Sequence, residues 1–125
     1  MISCKMPDMP SLRRVLIVED EPLIAMMLED FLDALDRELA GTADDVAGAL
    51  ARIEAGGVEA AILDVNLRGG EQSWPIAAKL AELGIPFILA TGGAGDSIAE
   101  PWRDRPILSK PFTMDGVEKA LDALG

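Results

Sequence analysis

A few side chains of this sequence could do chemistry together, and each follows a strand-like run. Glu19 and Asp20 come directly after Val15-Leu16-Ile17-Val18. Asp64 follows Ala60-Ala61-Ile62-Leu63, Thr91 closes Phe87-Ile88-Leu89-Ala90, and Lys110 follows Ile107-Leu108-Ser109. In an open parallel sheet, ligands bind beyond the carboxyl ends of the strands. If these runs are neighbours in such a sheet, three carboxylates, a hydroxyl and an ammonium share one rim, although the sequence spreads them between positions 19 and 110. Each carboxylate prefers to be ionised near neutral pH, so the group repels itself. A hard divalent cation with oxygen ligands offsets that best, and Mg²⁺ accepts one or two carboxylates plus waters at ~2.0–2.1 Å. A cation held beside a carboxylate and a lysine is the equipment of phosphoryl transfer, because both neutralise charge on the phosphoryl oxygens. A carboxylate can also be the nucleophile and give an acyl phosphate.

Taken singly, each residue has a plainer reading. Glu19 and Asp20 could favour the amino end of a following helix. Asp64 could cap a loop, Thr91 could be a turn residue, and Lys110 could be an ordinary solvated lysine. The chemical reading rests on all of them falling at strand ends.

Composition narrows the alternatives. The chain has no histidine and no tyrosine, and Cys4 is its one cysteine. A Ser-His-Asp triad, a histidine base and a zinc site of His or Cys ligands are therefore excluded. Cys4 has no partner for an intrachain disulfide, which fits a reducing compartment. There are 11 basic and 22 acidic residues, a net charge of −11, so sequence-independent binding to nucleic acid is not expected. The length of 125 residues, half of them hydrophobic, suits one domain with a real core. No apolar run approaches the ~20 residues that span a membrane. Met1 to Ser11, with Pro7, Asp8 and Pro10, lacks the apolar stretch of a signal peptide. A cytoplasmic protein with no membrane partner is expected, with residues 1–12 a flexible lead and residues 13–125 a single domain.

The elements that would position these residues alternate. Val15 to Val18 is apolar throughout, as in a strand buried on both faces. Pro22 opens a helix through Leu35, with Ile24, Met27, Phe31 and Leu35 at helical spacing and Met26 left open between core and surface. Glu38 to Ala43 is a weaker strand interrupted by Gly41. Asp44 is placed to cap a helix to about Ala55, with Val46, Leu50 and Ile53 on one face, stopped by Gly56-Gly57. A strand from Ala60 ends at Asp64, and a helix runs from Pro75 to Leu83 with Ile76, Leu80 and Leu83 aligned. Pro86 to Thr91 and Ile107-Leu108 are strands, and Thr113 caps a last helix with Val117, Leu121 and Leu124. Between Gly92 and Pro106, Pro101 rules out a full helix, so a short or irregular one is expected around Asp96 to Glu100. Strands alternating with helices imply an α/β parallel sheet covered on both faces.

Val15-Leu16-Ile17-Val18-Glu19-Asp20-Glu21-Pro22, Ile62-Leu63-Asp64-Val65-Asn66, Ala90-Thr91-Gly92 and Ser109-Lys110-Pro111-Phe112 resemble the receiver domain of two-component response regulators. The resemblance covers roughly Arg13 to Leu124. The stretch Asp64 to Glu71 and that from Gly84 to Gly92 resemble more particularly the stand-alone alphaproteobacterial receivers with a Phe-Ala-Thr-Gly-hydrophobic-Tyr motif. It implies a flavodoxin-like (βα)5 doubly wound sheet of five strands in the order 2-1-3-4-5. Asp64 would be the phosphoacceptor. Glu19, Asp20, Asp64 and the backbone carbonyl of Asn66 would hold Mg²⁺, while Thr91 and Lys110 would bind phosphoryl oxygens. The partner would be a histidine kinase or histidine phosphotransferase, with a possible downstream protein target and no output domain on this chain. The surface around the fourth and fifth strands would switch on phosphorylation.

The sequence departs from the family pattern in two places. An aromatic switch residue often stands three positions before the lysine, where this chain has Ile107. The subgroup motif reads Leu89-Ala90-Thr91-Gly92-Gly93-Ala94, without its Phe and Tyr. Two rival readings share the residues. One is a small Mg²⁺-dependent aspartyl-phosphate phosphatase of the haloacid dehalogenase type, against which stands Asn66 where such enzymes place a second Asp. The other is an interaction module that works unphosphorylated, against which stands the intact acid group.

Overall fold

A computed structural model describes residues 14–65, 67, 72–91, 102, 105–109 and 112–124. The order of elements is β1 (Arg14–Val18), α1 (Pro22–Ala34), β2 (Glu38–Ala43), α2 (Val46–Ala55), β3 (Ala60–Asp64), α3 (Trp74–Glu82), β4 (Phe87–Thr91), β5 (Ile107–Ser109) and α4 (Met114–Leu124). All strand pairs are parallel, in one five-stranded sheet of order β2-β1-β3-β4-β5. This is the flavodoxin-like arrangement that the sequence implies. The lead at residues 1–12 and the expected short helix around Asp96 to Glu100 lie outside the described residues.

The apolar runs of β1, β3 and β4 are continuous because both faces of the sheet are covered. Side chains alternate across a strand, so the runs divide between two cores. Val15, Ile17, Ala60, Ile62, Ile88 and Ala90 meet Leu28 and Leu32 of α1 and Val117 and Leu121 of α4. Leu16, Val18, Ala61, Leu63, Phe87 and Leu89 meet Ala49 and Ile53 of α2 and Ile76, Ala77 and Leu80 of α3.

Several details differ from the sequence reading. The buried line of α1 is Ala25, Leu28 and Leu32. Ile24, Met27, Phe31 and Leu35 pack at its flank, because a helix lying on a sheet buries a broad stripe rather than one row. Met26 is exposed, at 56%. The cap of α2 is Asp45, not Asp44: its side chain accepts the Gly48 N–H at 2.7 Å, the N3 position a capping carboxylate reaches. On that helix Ala49 and Ile53 are buried, and Leu50 is only partly so. Helix α3 starts at Trp74, one residue before Pro75. Leu83 does not continue its buried face: it is the C-cap and exposed, where the chain turns through Gly84 at φ +74°. Thr113 caps α4 as expected, accepting the Gly116 N–H at 3.0 Å. Gly41 does not break β2. It pairs with Leu16 just past an irregularity between Val15 and Leu16, so β2 absorbs one extra residue at the sheet edge.

These packings separate two kinds of damage. A Cβ added at Gly84 would meet nothing within 4 Å. Gly84→Ala is expected to cost ~1 kcal/mol, all of it backbone strain in the left-handed region. Ile62→Ala removes a fully enclosed core side chain and is expected to cost ~2–5 kcal/mol. Urea unfolding with an unchanged slope measures both.

Candidate functional site

The strand ends carry the site because parallel pairing aligns them. Val18 pairs with Leu63, Asp64 with Ala90, and Thr91 with Ser109. Each chain therefore leaves the sheet at the same rim. Beyond β1, the Glu19 N–H donates to the Ala43 carbonyl at 3.0 Å, which fastens the exit of β1 to the end of β2. The Glu21 N–H donates to Glu19 Oε2 at 3.2 Å, a tight turn that puts Glu19 and Asp20 at the mouth before Pro22 opens α1. Beyond β3, the Val65 N–H donates to the Ala90 carbonyl at 3.0 Å, which ties the Asp64 turn to β4.

Glu19, Asp20 and Asp64 each bring a carboxylate oxygen to one place, all within 4.8 Å of one another. Glu19 and Asp64 are almost enclosed, at 4% and 5% exposure, and Asp20 is half-buried. Thr91 is also buried, at the end of β4. The structure thus joins the three acidic residues singled out in the sequence and sets Thr91 on the same rim. Asn66 and Lys110 lie outside the described residues.

The donor set is all carboxylate oxygen, with no histidine in the chain. Such a set fits a hard divalent cation and not a nitrogen- or sulfur-preferring metal. Two of the three donors are adjacent in sequence, and the third arrives from a neighbouring strand. The cluster could therefore bind a metal only once β1 and β3 are paired.

The sequence reading missed two features. A recess of about 460 Å³ adjoins the cluster between α1 and the end of β2, lined by Glu19, Asp20, Met26, Glu29 and Asp44 among others. Glu29 and Asp44 read in sequence as ordinary helix-surface and cap-like acids, and only folding brings them to the mouth. The second feature is Ser73. Its N–H donates to the Val65 carbonyl at 3.2 Å and closes the loop that leaves Asp64. Its side chain is fully enclosed, and Oγ has no hydrogen-bond partner. No sequence signal distinguishes it from an ordinary residue ahead of a helix.

Two outcomes follow from this geometry. Like charges 4.8 Å apart repel by ~1 kcal/mol in a water-like medium, and by more where water is displaced. Asp20→Asn is expected to raise the urea midpoint in EDTA, and added Mg²⁺ to stabilise the wild type more than the variant. Ser73→Ala removes a buried hydroxyl that has nothing to bond, so stability is expected to rise by ~1 kcal/mol on thermal unfolding.

No family model matches the chain, and no curated protein matches it. Among solved structures it is similar to SdrG from Sphingomonas melonis Fr1, with 67% identity over 93% of this chain and 98% of that one, and a TM-score of 0.85. The BeF3-activated conformation of SdrG from Pseudomonas melonis Fr1 matches at 67% identity over the same shares, with a TM-score of 0.80. The PhyR response regulator REC domain of Erythrobacter litoralis is 27% identical over 90% of this chain and 88% of that one, with a TM-score of 0.75.

Proposed function

Because the chain belongs to the response-regulator receiver domains, signalling proteins rather than classical enzymes, we propose that it takes a phosphoryl group from a partner phosphohistidine onto Asp64. The observation that carries this reading is the meeting of Glu19, Asp20 and Asp64 within 4.8 Å at the carboxyl ends of β1 and β3. The donor is a histidine kinase or histidine phosphotransferase, since these 125 residues carry no histidine of their own.

In this reading an Asp64 carboxylate oxygen attacks phosphorus. The new O–P bond forms as the N–P bond breaks, and the imidazole nitrogen leaves with the bonding pair. Glu19, Asp20, Asp64 and the Asn66 backbone carbonyl would hold Mg²⁺. When bound, the ion supplies positive charge to the phosphoryl oxygens and relieves repulsion among the carboxylates. The Thr91 hydroxyl donates to one phosphoryl oxygen, and the Lys110 ammonium pairs with another. The chain catalyses only its own phosphorylation and dephosphorylation.

The donor docks at the start of α1. There Leu23 and Met26 are exposed, at 79% and 56%, beside Glu19 and Asp20. Glu29 and Asp44 at the neighbouring recess add negative charge that steers a basic donor surface. The switched surface lies around β4 and β5, where Ile107 is exposed and stands in the place of the usual aromatic. Packing of an aliphatic side chain, not rotation of an aromatic ring, then reports the phosphorylated state to a downstream protein. The protein works in the cytoplasm, where such donors are found.

Incubation with a small phosphodonor and Mg²⁺ is expected to label the wild type at one phosphoryl group per chain and Asp64→Asn not at all. Thr91→Ala is expected to slow labelling by ~100-fold or more, the usual scale for one lost transition-state donor. Full labelling of Asp64→Asn overturns the assignment, and steady turnover of a phosphomonoester by the wild type favours a phosphatase.

A further inference from the structure

At the other end of β4 lies a charged side chain that the phosphoryl chemistry does not use. Arg105 sits in the turn before β5, its backbone N–H donating to the Trp102 carbonyl at 3.2 Å. Its guanidinium carbon stands 4.6 Å from the centre of the Phe87 ring and 5.6 Å from that of Trp102. The two rings meet edge to face, with centroids 5.7 Å apart and planes at 66°. The guanidinium therefore rests against both rings, a cation–π contact that restrains the side chain. Arg105 is part-buried, and its Nε is enclosed without a hydrogen-bond partner. Among the described residues no carboxylate pairs with it.

A cavity of about 320 Å³ opens beside the guanidinium, lined by Ala81, Gly84, Ile85, Pro86 and Arg105. Among the described residues its other side chains are apolar. The backbone donors of the turn are engaged: the Gly84 N–H with the Ala81 carbonyl at 3.1 Å, and the Ile85 N–H with the Leu80 carbonyl at 2.8 Å. Pro86 has no N–H. The nearby acid Glu82 is paired with Lys79 at 3.5 Å on α3. Arg105 is thus the one charged group of the described lining, restrained, with hydrogen-bonding capacity left over.

We propose that Arg105 and this cavity form a binding site for a small aliphatic carboxylate. One guanidinium fork matches one planar carboxylate, whereas a phosphate dianion needs more donors than the lining offers. The apolar walls take a short alkyl chain, and the volume lies at the small end of ligand sites. The two ring contacts lower the cost of binding, because a side chain already restrained loses less freedom. The site is separate from the acid cluster: Phe87 opens β4 and Thr91 closes it, ~13 Å apart at ~3.3 Å per residue.

The test uses the full chain labelled with ¹⁵N and titrated with sodium butyrate at constant ionic strength. The Arg105 Nε–H and Trp102 indole N–H resonances are followed. Both are expected to shift and saturate, with affinity falling at least ~10-fold in Arg105→Gln, equivalent to ~1.4 kcal/mol. Arg105→Lys keeps the charge and loses the fork, so it is also expected to weaken binding, and it carries the comparison if the Gln variant loses its dispersed spectrum. Inorganic phosphate and an Ala-Glu-Ala peptide are run in parallel. Shifts that stay linear with butyrate, equal saturation by phosphate, saturation by the peptide alone, or unchanged butyrate affinity in Arg105→Lys overturn the proposal. Asp64→Asn is expected to bind butyrate like the wild type, which separates this site from the fate of the phosphoacceptor reading.

Discussion

Strands β1, β3 and β4 lie inside a parallel sheet with helices against both faces, so neither set of alternating side chains reaches water. A one-residue slip of any of them would exchange the two cores, sending Ile62 toward α2 and α3 and Leu63 toward α1 and α4. Large side chains in a close-packed interior resist that exchange. The register is therefore held firmly, and with it the level at which each strand ends. The apolar runs of β1, β3 and β4 stop where those strands leave the sheet, and there Glu19, Asp20, Asp64 and Thr91 are gathered. The site is a consequence of where the apolar runs stop.

That position sets opposing demands on the acidic group. Glu19 and Asp64 are nearly enclosed, and proximity makes the carboxylates repel. Short backbone bonds hold the arrangement against this repulsion: Glu19 to Ala43, Glu21 to the Glu19 side chain, and Val65 to Ala90. The fold's stability comes from the two cores and pays for a rim that would not assemble by itself. A hard cation turns the same repulsion into affinity.

The opposite rim follows another logic. At the acid end, three carboxylates among the described residues meet on tight turns between strands and helices. At the far end of β4, a single positive charge lies across two aromatic rings. The parallel sheet separates the two ends by the length of one strand, which allows two unlike sites on a small domain. The α1–β2 turn adds a third constraint, with Asp36 in the left-handed region and Arg37 reaching Asp122 of α4 at 3.4 Å. That ion pair ties the α1–β2 turn to α4, on the face of the sheet that α1 and α4 share.

Much of this was legible in the residues. The apolar runs, the glycines at helix ends and the order of alternating elements follow from local chemistry, and they located all five strands and the three acids of the cluster. Cap identity was not, because Asp44 and Asp45 are equivalent until the backbone sets which one faces the Gly48 N–H. Nor was the burial of α1, where two parallel rows share one helical period and the sheet decides which lies deeper. Leu83 keeps the spacing of the α3 face but falls where the chain turns away. The sequence by itself determined which residue types stand at the strand ends, since that is a matter of where hydrophobicity stops along the chain. Only the tertiary structure decided that Glu19, Asp20 and Asp64 share a volume, that Ser73 is enclosed, and that Arg105 lies against two rings. Distance between residues far apart in sequence is set by strand order and register, which are properties of the packed sheet and not of any single segment.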